Sequence, residues 1–235
     1  MTIFWRLLFA HLVADFTLQT DFVNAWKRKG TWGMLVHAAT HLVVSIALCW
    51  PHLNDLWIDT AHVKLQGWSC VLIIFLLHFL EDEWRVFSIF RKKMPDNTFH
   101  FLWDQVIHVL IILAFSPWWS YWYGGFMPEK WPIYGCLAVM VTHFCTVLLY
   151  FIERDKFDSP YPELDEKYVT MSERFVLATA FILPGFWGIA APAAWGGAIY
   201  LFRLKRGLDY SWFSFYVGGL LAVVAGVLVR IVWYS

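Results

Sequence analysis

Residues 31–50 read TWGMLVHAATHLVVSIALCW, an apolar run long enough at about 1.5 Å per residue to cross a bilayer core of roughly 30 Å. His37 and His41 are set into it four residues apart, so both imidazoles leave one helix face. The same spacing recurs in His11/Asp15, His78/Asp82 and Asp104/His108, each inside an apolar segment. An ionised side chain near the bilayer centre costs roughly 2.5–3.5 kcal/mol on insertion scales. Three carboxylates and five imidazoles therefore need partners. A divalent metal, Zn2+ before others and as one or two ions, suits that ligand mixture best.

Composition points the same way. Of 235 residues, 60% are hydrophobic and 15% charged, more apolar surface than a soluble domain of this length hides. The chain is expected to be an all-α, polytopic membrane helix bundle. Its first apolar stretch carries Arg6, His11, Asp15 and Gln19, unlike the uniform core of a cleavable signal peptide. Zero net charge gives no bulk attraction to nucleic acid, and membrane lipids are the expected partners. Cys49, Cys70, Cys136 and Cys145 form no C-x-x-C pair and read as packing residues, with a Cys49–Cys70 disulfide as an alternative.

About eight segments qualify as spans: 3–26, 32–50, 69–90, 99–118, 132–152, 172–189, 192–203 and 212–234. Pro184, Gly185, Pro192, Gly196 and Gly197 interrupt the sixth and seventh, so the alternative is a re-entrant hairpin there and six full spans. Lys27–Lys29, Arg91–Lys93, Arg154/Lys156 and Arg203/Lys205/Arg206 fall in alternate loops, which the positive-inside rule puts in the cytoplasm with both termini outside. Trp50, Trp57, Trp68, Trp118, Trp119, Trp122 and Trp131 mark the opposite interface as an aromatic belt. The stretch 153–171 reads as a structured cytoplasmic loop. Residues 1–118 form a polar-cored half, and 119–235 an apolar half.

Orientation permits a test of depth. Measured from the cytoplasmic end of each segment, Asp15, His41, His78, Asp82 and His108 lie about 12–18 Å in. His11 lies deeper, and His37 and Asp104 shallower, by about one turn. Antiparallel segments thus bring their polar pairs to one layer, as a single site requires. Gln19 continues the face of His11 and Asp15 and is assigned to the site, with Asp82 and Asp104 as its acid–base carboxylates. Glu81 and Arg85 read as interfacial anchors. Lys27, Arg85, Lys92 and Lys93 form a basic rim suited to an anionic, lipid-like substrate. His52, His62, His100 and His143 read as structural or solvated.

The runs HLVADFTLQTDF (11–22), HAATH (37–41), HFLEDEWR (78–85) and FLWDQVIH (101–108) resemble an uncharacterised bacterial membrane family, a domain of unknown function. That family is marked by an HxxADFxLQ opening and a later FxxDQxxH. The resemblance covers about residues 5–110, with a weaker echo at Ser172-Glu173-Arg174. It implies a bacterial or phage-encoded inner-membrane protein sharing these polar positions, and brings no established activity.

Familiar soluble signatures are missing: there is no H-E-x-x-H, G-x-S-x-G, Walker A or G-x-G-x-x-G. A metal-dependent hydrolase acting from the cytoplasmic side on a lipid or other anionic substrate fits the ligand set and basic rim. Divalent-metal transport is the rival, because His-x-x-x-Asp pairs resemble the mid-membrane sites of zinc transporters. It would call for matching ligands in the second half, which has none. A metal-free proton relay remains open. A di-iron oxygenase is disfavoured by three aspartates where all-His boxes are usual.

Overall fold

The computed structural model describes residues 1–117, 125–127, 129–206 and 211–235. Its contacts divide into two compact units, Met1–Cys136 and Leu137–Ser235. That boundary lies beyond position 118, where polar-residue density sets it, and all eight candidate ligands fall in the first unit.

The first unit begins with α1 (Thr2–Leu12), a π turn (Val13–Thr17), α2 (Asp21–Lys27) and α3 (Thr31–Cys49). It continues through β1 (Leu56–Asp59), β2 (Lys64–Gln66), α4 (Gly67–Phe90) and α5 (Thr98–Phe115). α1 and α4 each pack on both α3 and α5, closing a four-helix ring. Local chemistry sets the boundaries. Thr20 caps α2 by accepting from Val23 N, and Asn97 caps α5 by accepting from His100 N.

At one end of the ring Leu7, Leu53, Val71 and Ile112 form an apolar plug with Cys49 and Cys70, both free thiols. The proposed disulfide between these cysteines is not formed. β1 and β2 make a short antiparallel hairpin between α3 and α4. Trp57 is drawn into the plug rather than the aromatic belt: it is 1% exposed and its indole N–H donates to His52 O at 2.9 Å. Trp118, Trp119 and Trp122 lie outside the described residues. Arg6, deep in an apolar stretch, is matched by Glu129, which accepts from Nε and Nη2 at 2.7 Å each. This bidentate contact holds the Glu129 carboxyl below its ordinary range.

The entry to α3 is tight. A Cβ on Gly33 would stand 2.4 Å from the backbone carbonyl of Trp26, so α2 and α3 touch backbone to backbone beside Lys27. Gly33→Ala is expected to cost about 1–3 kcal/mol, the scale of overpacking, read as a lowered unfolding midpoint in detergent. Gly30→Ala, where nothing lies within 4 Å of the added Cβ, serves as its control.

α6 (Lys130–Val139) leads through a second π turn (Met140–Phe144) into the second unit. There follow α7 (Cys145–Phe157), α8 (Leu164–Ala180), α9 (Trp187–Arg206) and α10 (Trp212–Tyr234). The expected loop at 153–171 is mostly helix; α7 ends at Asp158, which takes the left-handed conformation with φ 55°, and α8 resumes at Leu164. A π turn leaves backbone carbonyls short of partners. Arg174, in the Ser-Glu-Arg echo, supplies them, donating from Nε to Val141 O at 2.9 Å and from Nη2 to Thr142 O at 3.3 Å.

Among the described residues four helical stretches are long and apolar enough to cross a membrane: Thr31–His52, Thr98–Phe115, Lys130–Phe157 and Trp212–Tyr234. A count of eight is not supported. The first apolar segment leaves helical geometry at 18–20, and α4 carries Glu81, Asp82, Glu83 and Arg85 in its second half. α8 includes Glu173 and Arg174, and α9 contains Pro192.

Candidate metal centre

Asp15 does not sit on a regular helix. Leu18 N donates to Val13 O at 2.8 Å, five residues back, and this wide turn carries Asp15 toward α3. Its Oδ1 lies 3.1 Å from Nε2 of both His37 and His41, and its Oδ2 3.6 Å from His11 Nε2. π turns recur at functional sites. Each i,i+4 pair therefore works chiefly across helices. Asp82 Oδ2 is 3.1 Å from His37 Nε2, 3.5 Å from His78 Nε2 and 3.6 Å from Lys27 Nζ.

The imidazoles stack through the middle of the ring. His78 is central, with ring centroids 3.8 Å from His41 and 4.2 Å from His108, and His11 closes the group 5.1 Å from His108. All eight residues singled out by spacing are buried. Three sets have ligand atoms within 4.8 Å of one another: Asp15, His37, His41 and His78; His11, His78 and His108; and Glu81, Asp82, Asp104 and His108.

Two residues read as anchors belong here. Glu81 Oε2 lies 2.9 Å from His108 Nε2, and Arg85 Nη1 lies 3.3 Å from Asp104 Oδ2. The helical signal for Glu81 was its position three residues after His78, on the same face. Arg85 also donates to His100 O at 2.8 Å and pairs with Asp96. Gln105 joins the set by donating to Asp15 Oδ2 at 3.2 Å and to Asp104 Oδ2 at 3.1 Å. Gln19 stands apart. The helix ends before it, so i+8 spacing no longer carries it onto the face of His11, and its buried Oε1 makes no hydrogen bond. Lys92 lies over the Trp84 ring at 4.1 Å, away from the cluster. His52 pairs with Asp55, and His143 Nδ1 meets Thr142 Oγ1.

The donor set fits a cation. His37 Nδ1 and Nε2, His78 Nε2, Glu81 Oε2, Asp82 Oδ2, Asp104 Oδ1 and both His108 nitrogens are buried and make no hydrogen bond of acceptable geometry, although several lie within ion-pairing range. Leaving a buried polar atom unsatisfied costs about 1–3 kcal/mol each. Buried nitrogens and carboxylate oxygens that converge this closely would be satisfied together by one or two metal ions. On the imidazole side, His11, His41, His78 and His108 wall a cavity of about 20 Å3, room for one water.

Fold and site together define a helical protein with apolar helices of membrane-spanning length and a buried histidine–carboxylate cluster. The chain belongs to the family described as a protein of unknown function, DUF3307, whose model matches residues 3–123. All eight residues fall inside the match, and residues 124–235 lie outside it. Neither the curated proteins nor the solved structures searched contain a match.

Proposed function

We propose that the protein is a divalent-metal enzyme of the bacterial inner membrane that hydrolyses an ester or phosphoester of a lipid or other membrane-associated anion from the cytoplasmic side. The observation that carries this reading is the pair of ligand sets with no residue in common. Asp15, His37, His41 and His78 give three nitrogens and one oxygen, a zinc-like set; Glu81, Asp82 and His108 give one nitrogen and two oxygens, a harder one, with Asp104 beside them. Two adjacent ions are the pattern of phosphoryl and acyl hydrolases. A metal bound there would supply a water of lowered pKa and polarise the oxygen under attack. Asp104, held by Arg85 and Gln105 and left off the ion, would act as general base, with Glu81, Asp82 and His108 as the ligands beside it. Arg85 and Lys27, now paired with those carboxylates, supply positive charge for the anion's approach.

Access supports hydrolysis over transport. The ring is plugged by Leu7, Leu53, Trp57 and Val71 at one end, while Lys27, Arg85 and Gln105 line the other, so polar groups lead away from the cluster in one direction. One observation favours transport: the helix that carries Asp15 is broken, as helices at transporter ion sites often are. Reconstitution with a vesicle-trapped metal dye and parallel lipid mass spectrometry decides between them. Chelator-sensitive turnover without flux is expected.

The proposed topology, multi-pass with both termini outside, has α1 and α4 cross together with the four apolar stretches, and is tested separately. Cysteine placed at position 28 or 92 is expected to resist a membrane-impermeant maleimide added to spheroplasts and to react after permeabilisation. Efficient labelling from outside reverses the orientation and moves the mouth of the site to the periplasm.

A further inference from the structure

In the second unit α8 packs against both α9 and α10. α9 touches α10 where the Tyr200 ring stands 6.0 Å from Trp212 and 6.4 Å from Phe215 between centroids. Away from those rings the two helices part, and a Cβ on Gly196, Gly197 or Gly219 would meet nothing within 4 Å. The gap is a cavity of about 500 Å3, the size of a small-ligand site. Its lining is sorted along its length. α8 and α10 run together, Gly218 facing Arg174 and Arg230 donating to Phe181 O, and α9 runs back, pairing Arg203 with Glu173. Glu173, Arg174, Arg203 and Ser214 therefore gather at one end, and Phe181, Ile189 and Val223 line the other. The slot covers about 21 Å along α9, from Arg203 to Ile189, and about 14 Å along α10, from Ser214 to Val223.

The polar end holds two guanidiniums, Arg174 and Arg203, and two carboxylates, Glu173 and, behind Ser214, Glu153. It calls for no further ion. What it offers is a donor and an acceptor. Nε and Nη2 of Arg174 are engaged by the carbonyls of Val141 and Thr142 and the Thr146 hydroxyl, which leaves Nη1 beside Gly218. Glu173 meets Arg203 through Oε2, which leaves Oε1. Among the described residues neither of these two atoms has a hydrogen-bond partner. A hydroxyl satisfies both, accepting from one and donating to the other. An ion in the same place would add a buried charge without a counter-charge.

Depth agrees with a lipid. Ser214 lies in the first turn of α10, a helix of membrane-spanning length, between Trp212 and Tyr216, aromatic types that mark the bilayer interface. Val223 lies at the middle of that helix. Ile189, 69% exposed, leaves the apolar end open to the surrounding acyl chains. A polar end at the interface and an apolar end at mid-depth is the disposition of an amphiphile within one leaflet.

We infer that this cavity binds a neutral single-chain lipid with a hydroxylated head group, of the monoacylglycerol type, its hydroxyl between Arg174 Nη1 and Glu173 Oε1 and its one acyl chain along the apolar length. About 500 Å3 spread over that length holds one hydrocarbon chain rather than two. The site is independent of the metal cluster, since all its residues lie in the second unit.

The test uses the full chain, purified in non-ionic detergent and stripped of lipid. It is titrated with monooleoylglycerol, methyl oleate, oleate and dioleoylglycerol, and bound molecules are counted by native mass spectrometry. Saturable retention of one monooleoylglycerol per chain is expected. Methyl oleate, which has no hydroxyl, is expected to bind about threefold or more weakly, the loss of a hydrogen bond. Oleate is expected to bind about tenfold or more weakly, because its carboxylate is buried beside that of Glu173. Dioleoylglycerol keeps the hydroxyl but has a second chain, and is not expected to be retained. Gly197→Leu and Gly219→Leu point into the open cavity and are expected to abolish retention in folded protein. They lie on different helices, so one decides if the other fails to fold, and the probe series decides if neither folds. The inference is overturned if no probe is retained, if methyl oleate, oleate or dioleoylglycerol binds as tightly as monooleoylglycerol, or if a folded leucine variant binds normally.

Discussion

Purified in detergent and chelator-free buffer, the protein is expected to carry about one to two equivalents of divalent metal, zinc foremost, and His78→Ala is expected to strip most of it. His78 is the choice because it belongs to two of the three ligand sets and stacks between His41 and His108. Losing an outer partner of a ligand already costs roughly 10–100-fold in affinity, and losing a shared ligand should exceed that. Elemental analysis of monodisperse protein is the measurement. His52→Ala and His143→Ala, whose imidazoles contact Asp55 and Thr142 away from the cluster, are expected to keep the wild-type content. Glu81→Gln should lower it, because Glu81 meets His108 at 2.9 Å. A wild-type protein holding less than about half an equivalent of any divalent metal would sink the metal reading, since a structural Zn2+ site binds far too tightly to be emptied by purification.

Much of this site was legible because helical periodicity is rigid. Four ligand pairs at i,i+4 could only face one way on each helix, and equal depth on antiparallel segments could only bring them together. The close ring contacts among His11, His41, His78 and His108 follow from that alone. What escaped lies where periodicity breaks or where contacts are long-range. No Pro or Gly marks residues 13–17, so nothing local announces the π turn that swings Asp15 onto His37 and His41. The same break removed the argument for Gln19. Glu81 sits in a run of three acids, where composition suggests a solvated helix end, and only the packing of α4 on α5 sets it against His108. Lys27 and Arg85 were read as a basic rim, but charge attraction carries their long side chains inward to Asp82 and Asp104. The count of eight spans goes unsupported for a related reason. Hydropathy rewards apolar residues in α4 and α9, whereas the acids of one and the proline of the other fall below the standard that α3, α5 and α10 meet.

Asp104→Asn is expected to lower chelator-sensitive lipid turnover roughly 10²–10⁴-fold, the usual scale for a lost general base. Metal content should change little, because Glu81, Asp82 and His108 remain as donors. Asp104 suits the role by its two unlike oxygens. Oδ2 is fixed by Arg85 at 3.3 Å and Gln105 at 3.1 Å, while Oδ1 is buried with no hydrogen bond, oriented and free to take a proton. Asparagine keeps the shape and the contact with Arg85 but cannot accept that proton, so a fall in turnover with metal retained isolates the acid–base step from ligation. The transport reading forecasts a different result in the same vesicles. Zn2+ or Mn2+ would cross the bilayer, Asp15→Ala and Asp82→Ala would abolish flux, and Asp104→Asn would matter only as far as it weakened the ion. Flux without turnover overturns hydrolysis in favour of transport. Turnover that survives both Asp82→Ala and Asp104→Ala keeps an enzyme but moves its chemistry away from this cluster. Silence in both assays with metal still bound leaves the five imidazoles and four carboxylates a structural or proton-relay role, in which Asp104→Asn should instead alter proton movement across the vesicle membrane.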